Sequence, residues 1–153
     1  RKRTIMIEGD GGFAMNLQEL ETVQRLNLPI KIFILNNSGY ASIRNTQNNY
    51  FAGRLYGSCP EGGLTLPNWE GVAKAFGLPY KRLAHNSEQD NKLDDILNQD
   101  GPVFCEVIVS PTLMTAPRVT SRKTADGRME SAPMEDMAPL LDRREIAENM
   151  ESC

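Results

Sequence analysis

Two short groups of residues could do chemistry together: Gly9-Asp10-Gly11-Gly12 and Asn36-Asn37. Asp10 offers a carboxylate and Asn37 an amide oxygen, both hard donors suited to Mg²⁺ or Ca²⁺. Mg²⁺ takes oxygen ligands at about 2.0–2.1 Å, usually a few from protein and the rest from phosphate and water. Gly9, Gly11 and Gly12 carry no Cβ. Backbone N–H groups there can approach an anion closely, and a following helix start adds a favourable field. Gly39 could add a backbone carbonyl as a third metal ligand. The set suits a metal–diphosphate better than an uncharged sugar.

The flanking sequence says how these groups would meet. Thr4-Ile5-Met6-Ile7 reads as a short buried strand. Asn16 is placed to cap a helix from about Leu17 to Leu26, with Leu17, Leu20, Val23 and Leu26 on one face. Pro29 breaks the helix, and Ile30 to Leu35 forms a second strand. A strand–helix–strand unit makes its strands parallel, with a crossover that is nearly always right-handed. Asp10 and Asn37 then leave the carboxyl ends of adjacent strands, the edge where open α/β sheets bind ligands. Gly9 to Ala14 also satisfies the dinucleotide pattern G-x-G-x-x-G/A. That reading needs an acid after the second strand, where this chain has Asn36 and Asn37. An acid inside the turn would repel a diphosphate unless a cation stood between them, so the metal reading is preferred.

Gly9-Asp10-Gly11, with Asn36-Asn37 closing the unit, resembles the diphosphate-binding motif of thiamine diphosphate enzymes. The surrounding GDGGFAMNLQEL and NNSGY are similar to the acetolactate synthase-like branch, from Arg1 to about Val109. The resemblance implies that Asp10, Asn37 and the Gly39 carbonyl hold Mg²⁺. It also implies that Gly11, Gly12, Tyr40 and Ala41 line the diphosphate. In the family a glutamate on a separate pyrimidine-binding domain activates the cofactor; no acid here is assigned that role, and Glu19 reads as a helix-surface or interface residue. The implied reaction is decarboxylation of a 2-keto acid and transfer of the aldehyde unit to an acceptor. Ile43 stands where pyruvate decarboxylase-type relatives carry a proton-transferring acid, which favours carboligation. The family's domain carries a strand, a helix and a glycine-rich segment before this point. The expectation is therefore a fold incomplete at its N-terminus, inactive alone, and part of a homo-oligomeric enzyme. A non-catalytic cofactor-binding or assembly module is the alternative from another class.

Composition bounds the rest. With 153 residues, 40% hydrophobic and 24% charged, the chain can bury one real core. A net charge of −3 provides no basic field for nucleic acid, and no apolar run approaches a membrane span of ~20 residues. Cys59, Cys105 and Cys153 show no C-x-x-C spacing, and reduced thiols in a cytoplasmic protein are expected.

Tyr40 to Thr46 reads as a short helix, and the glycines and prolines to Pro67 as a long loop. Tyr50, Phe51 and Tyr56 read more readily as core than as a ligand cover. Asn68 caps a helix from Trp69 to Phe76, which Gly77 stops. Tyr80 to Leu83 is a strand, and lone His85 reads as a surface residue. Ser87 opens a helix with Leu93, Ile96 and Leu97 inward, and Val103 to Val109 is the most strand-like run. The alternation implies an α/β fold, a parallel sheet with helices on both faces. Residues 110–153 form a proline-broken tail with five methionines, Met114, Met129, Met134, Met137 and Met150. One helix is expected there, from Pro139 to Met150. Two readings stay open: packing on the domain or a neighbouring subunit, and a partly disordered terminus.

Overall fold

A computed structural model describes residues 2–113 and 116–151, in two compact units divided between Leu113 and Met114. The first unit is an α/β layer structure around one parallel sheet. β1 (Thr4–Gly9) is followed by α1 (Asp10–Phe13), a 3₁₀ turn at Ala14–Asn16 and α2 (Glu19–Arg25). Next come β2 (Ile30–Asn36), α3 (Ala41–Tyr50) and α4 (Trp69–Ala75). β3 (Tyr80–Leu83), α5 (Gln89–Asn98) and β4 (Val103–Ile108) complete the unit. The strand order is β1-β2-β4-β3, with every pairing parallel.

Alternation along the strands sends side chains to two cores. Ile32, Ile34 and Phe104 face Phe13, Leu20, Trp69, Ala73 and Leu78. Phe33, Val103, Cys105 and Leu83 face Ile96 of α5 on the other side. Both faces of the sheet therefore carry helices, as the α/β pattern implies. Phe13 seats α1 on this sheet, its ring 5.6 Å from Phe104 and 5.9 Å from Trp69. Such tilted and edge-on pairs are the preferred aromatic geometries. They hold the turn after β1 in place.

Lys31 is buried (1% exposed) near the start of β2. Its ammonium donates to the carbonyl oxygens of Gln99 and, at 2.7 Å, Gly101. Burial lowers its pKa, opposed by the negative charge of Asp100 and assisted by Arg3. The lysine thus ties β2 to the turn that leads from α5 into β4.

Several local expectations change. β1 is an edge strand rather than a buried one, and Ile5 and Ile7 are exposed on it. Leu26 is exposed as well, because α2 has already ended at Arg25. Asn16 caps nothing: it ends the 3₁₀ turn, and α2 begins after Gln18 without a side-chain cap. The glycines enter α1 directly, with Asp10 held by the Gly39 N–H and Phe13 packed on Phe104 and Trp69. Helix α3 runs on to Tyr50, and the segment after it is braced rather than loose. The Gln47 side chain donates to the Tyr56 carbonyl and accepts from the Ser58 hydroxyl at 2.6 Å. Ser58 and Cys59 are buried, whereas Tyr50, Phe51 and Tyr56 are exposed, so these aromatics are not core. Leu93 is also exposed; Ile96, with Leu97 beside it, plugs α5 into the core. Asn68 caps α4 as expected, accepting from the Gly71 N–H at 2.8 Å, and His85 lies on the surface.

The second unit contains an antiparallel pair, β5 (Ser121–Lys123) and β6 (Met129–Ser131), and one helix, α6 (Arg143–Glu151). Strands this short leave no readable pattern in the sequence. Pro139 lies before α6 rather than at its first position. Arg143 forms a two-point ion pair with Asp136 at 2.6 and 2.8 Å. Met129, Met134 and Met150 are exposed; Met114 and Cys153 lie outside the described residues.

Candidate functional site

β1 and β2 run in register, with Gly9 opposite Leu35, so Asp10 and the Asn36–Asn37 pair emerge side by side. Asp10 is fully buried. Its Oδ1 accepts from the Gly11 N–H at 2.8 Å and its Oδ2 from the Gly39 N–H at 3.0 Å. Burial pushes the carboxyl above its ordinary range, and the backbone donors of Gly11, Gly39, Ser38 and Asn37 pull it back in part. The turn after β2 is therefore wrapped around the Asp10 side chain. A carboxylate has about four lone-pair sites, and two backbone donors leave capacity for a cation.

Asn37 supplies the second feature. Its Oδ1 is buried and has no hydrogen-bond partner. An unpartnered buried oxygen costs about 1–3 kcal/mol, so it is kept only where something else repays it. An oxygen of this kind, on a turn whose backbone donors surround a buried carboxylate, has the chemistry to join it as a hard-cation ligand. Among the described residues no three His, Cys, Asp or Glu side chains gather to hold a metal. The donor set here is instead one carboxylate and one amide, which suits a cation that takes few protein ligands.

Gly39 is buried with φ +141°, and a Cβ on it would stand 2.3 Å from the Ser58 carbonyl oxygen. Only glycine fits there. Gly11 is also closed on its Cβ side: a Cβ would lie 2.6 Å from the Tyr40 ring. Tyr40 thus packs over Gly11, and its own N–H donates to the Ser58 carbonyl at 2.9 Å. Gly12 is exposed, with the Glu8 carboxylate beside it. Ala41 is the first residue of α3, partly exposed. Gly9, the last residue of β1, has nothing within 4 Å of a Cβ position.

Two neighbours carry no signal in the sequence. Arg44 is nearly buried, and its guanidinium donates to the carbonyl oxygens of Pro111 at 2.6 Å and Asn37 at 3.4 Å. Glu106 on β4 is 8% exposed and accepts from the Asn36 amide at 2.6 Å and from the Tyr80 hydroxyl. Arg82 lies 3.7 Å from the same carboxylate. Burial, followed by the Glu106 contact, raises the Tyr80 pKa. Neither Arg44 nor Glu106 belongs to a local motif; the tertiary fold brings them to the site.

Residues 1–107 match the family described as thiamine pyrophosphate enzyme, C-terminal TPP binding domain. The acetolactate synthase isozyme 2 large subunit of Escherichia coli (strain K12) is 37% identical over 106 residues, 69% of this chain and 19% of that protein. The acetolactate synthase large subunit of Porphyra purpurea is 32% identical over 120 residues, 78% of this chain and 20% of that protein. Acetolactate synthase 2, chloroplastic, of Nicotiana tabacum is 32% identical over 119 residues, 75% of this chain and 18% of that protein. The chain spans about a fifth of the length of these curated relatives. On the match that covers nearly its whole parallel sheet, the chain belongs to the thiamine pyrophosphate (thiamine diphosphate) enzymes, as an acetolactate synthase-like C-terminal TPP-binding domain.

Proposed function

We propose that this chain is the diphosphate- and Mg²⁺-binding part of an enzyme acting on 2-keto acids by decarboxylation and carboligation. The observation that carries the metal site is the unpartnered, buried Asn37 Oδ1, on the turn whose backbone N–H groups surround the buried Asp10 carboxylate. Asp10, Asn37 and the Gly39 carbonyl would hold Mg²⁺, and Gly9, Gly11, Gly12, Tyr40 and Ala41 would border the diphosphate. Thiamine diphosphate, when bound, supplies carbanion chemistry at the former keto carbon. The chain's own contribution is to fix the far end of the cofactor and offset its charge. Asp10 gives the cation a full negative charge, and Asn37 gives an oxygen that is already desolvated. The buried turn at Gly39 has no room for a side chain, which keeps its N–H on Asp10.

The chain spans a fifth of its relatives, and a pyrimidine-binding domain or subunit is the partner its site requires. Alone, it is expected to bind but not to turn over. Adding a partner that carries the pyrimidine-binding half should restore CO₂ release from a 2-keto acid. No CO₂ release from the mixture would favour a non-catalytic cofactor-binding module. The free, buried thiols of Cys59 and Cys105 fit a reducing compartment such as the cytoplasm. Among the described residues no helix is long and apolar enough to cross a membrane.

Calorimetry with thiamine diphosphate, with and without Mg²⁺, tests the site. Binding should require Mg²⁺ and vanish in Asp10→Ala. Asn37→Ala is the companion variant, because its Oδ1 makes no hydrogen bond whose loss could unfold the chain. It should lose Mg²⁺-dependent binding while keeping its melting temperature. Retention of Mg²⁺-dependent binding in both variants overturns the assignment.

A further inference from the structure

The turn that presents Asn37 and Gly39 is held from two sides. On one side Asp10 accepts the Gly39 N–H. On the other, Asn36 Oδ1 accepts the Ser38 N–H at 3.0 Å, while Asn36 Nδ2 donates to Glu106 Oε1 at 2.6 Å. Glu106 is fixed in turn: Oε2 accepts from the Tyr80 hydroxyl and faces Arg82. Ser38 adopts φ +62°, a conformation that costs a non-glycine residue free energy unless neighbours impose it. The Asn36 amide helps to impose it, beside the Asp10 carboxylate on which the Ser38 backbone also acts. The amide can do so only while its orientation is fixed, since a flipped carboxamide would turn its NH₂ towards the Ser38 N–H. Glu106 fixes that orientation, because a carboxylate accepts hydrogen bonds and cannot donate one.

We propose that Asn36 and Glu106 are positioning residues for the metal-binding turn: Glu106 orients the Asn36 amide, and Asn36 sets the Ser38–Gly39 backbone that aims Asn37 at the cation. The inference rests on the metal reading of Asp10 and Asn37 and extends it to β4 and β3. Partners outside the ligand set orient the ligands, and losing one typically costs about 10–100-fold in metal affinity. The Asn36 and Glu106 side chains bond to no ligand side chain, so their effect passes entirely through the turn.

The readout is Mg²⁺ affinity of the full chain, titrated calorimetrically in the presence of thiamine diphosphate, beside the thermal melting temperature. Asn36→Asp sets two carboxylates against each other and should weaken Mg²⁺ binding by about tenfold or more. Adding Glu106→Gln reverses the polarity of the pair. The amide then introduced at position 106 can donate to the new carboxylate at position 36 and still accept from Tyr80. The double variant should recover to within about threefold of the parent, as expected when a lost orienting contact is restored. Lys31→Met removes hydrogen bonds at the far end of β2 and controls for loss of stability alone. It should lower the melting temperature and leave Mg²⁺ affinity unchanged.

Unchanged affinity in Asn36→Asp, with Asp10→Ala abolishing binding, overturns the positioning role and leaves the metal site standing. Unchanged affinity in Asp10→Ala overturns both. Weakening in Lys31→Met as large as in Asn36→Asp would also overturn the role, since the effect would then be general destabilisation. Should Asn36→Asp fail to fold, Tyr80→Phe carries the test, because it removes the hydrogen bond that holds Glu106 Oε2 without adding charge. It should weaken Mg²⁺ binding measurably, and unchanged affinity there overturns the role.

Discussion

The Gly39 N–H donates to Asp10 Oδ2 at 3.0 Å across the tips of two parallel strands. This bond ties the glycine turn after β1 to the asparagine turn after β2 through the side chain best suited to a cation. The bond requires the backbone of Gly39 to come close to two neighbours at once, Asp10 on one side and Ser58 on the other.

Gly39→Ala should therefore be among the most costly single changes in the chain. Its Cβ would meet a backbone carbonyl at 2.3 Å, and φ +141° is strained for any L-residue. Strain and overpacking together predict a loss of about 3 kcal/mol or more, with Mg²⁺ binding lost as well. Gly53 is the comparison. Its φ is +72°, and a Cβ there meets only the Asn48 Oδ1 at an ordinary 3.7 Å. Gly53→Ala should cost only about 1–2 kcal/mol. Urea unfolding of both variants checks the difference; equal losses would show that the contact at Ser58 relaxes freely.

Much of this site is readable from local sequence, because Asp10, Asn37 and Gly39 sit at strand ends that hydrophobic patterning reveals. Parallel pairing then follows from the helix between the strands. What stays hidden is contact made across the sheet. Glu106 lies 70 positions from Asn36, and the apolar strand pattern around it gives no sign that its carboxylate is held by Tyr80. Arg44 likewise reads as one polar position on a helix until Pro111 arrives beneath it. The exposed Tyr50, Phe51 and Tyr56 mislead in the opposite direction. Aromatic residues signal burial on average, yet here Gln47 and Ser58 brace the segment by polar bonds and leave those rings outside. Asn16 misleads for a related reason. It has the right chemistry for a cap, but with Phe13 seated on Phe104 the helical backbone already starts at Asp10.

Asn68 separates helix stability from site function. Its side chain satisfies the Gly71 N–H at the start of α4, and Trp69 next to it is buried against Phe104. Asn68→Ala should cost about 1 kcal/mol, the usual value of an N-cap. Because α4 supplies no residue of the proposed metal cradle, Mg²⁺-dependent cofactor binding should persist unchanged. A melting curve and one titration decide it. Loss of Mg²⁺ binding at preserved stability would place α4 inside the site.

Cys105 gives the fold a definite alkaline weakness. It is fully buried on β4, and burial, followed by the nearby Glu106 charge, pushes its thiol up to about 12. In the unfolded chain the thiol returns to about 8.5. A folded pKa above the unfolded one means that the contribution is intact below about pH 8.5 and falls as pH rises towards the folded value. Between about pH 8.5 and 9.5 the unfolded thiol ionises while the folded one stays protonated, which costs about 1 kcal/mol of stability. Cys105→Ala should begin from a lower stability, through the space it opens between Phe33 and Ile96, but lose less over that interval. Urea midpoints at the two pH values measure both slopes. Peptide mapping after alkylation of the native chain at about pH 8.5 gives an independent reading, in which Cys105 should remain unmodified until the chain is unfolded. Rapid native alkylation at Cys105, or identical slopes in parent and variant, would show that the sheet opens there far more readily than its packing implies.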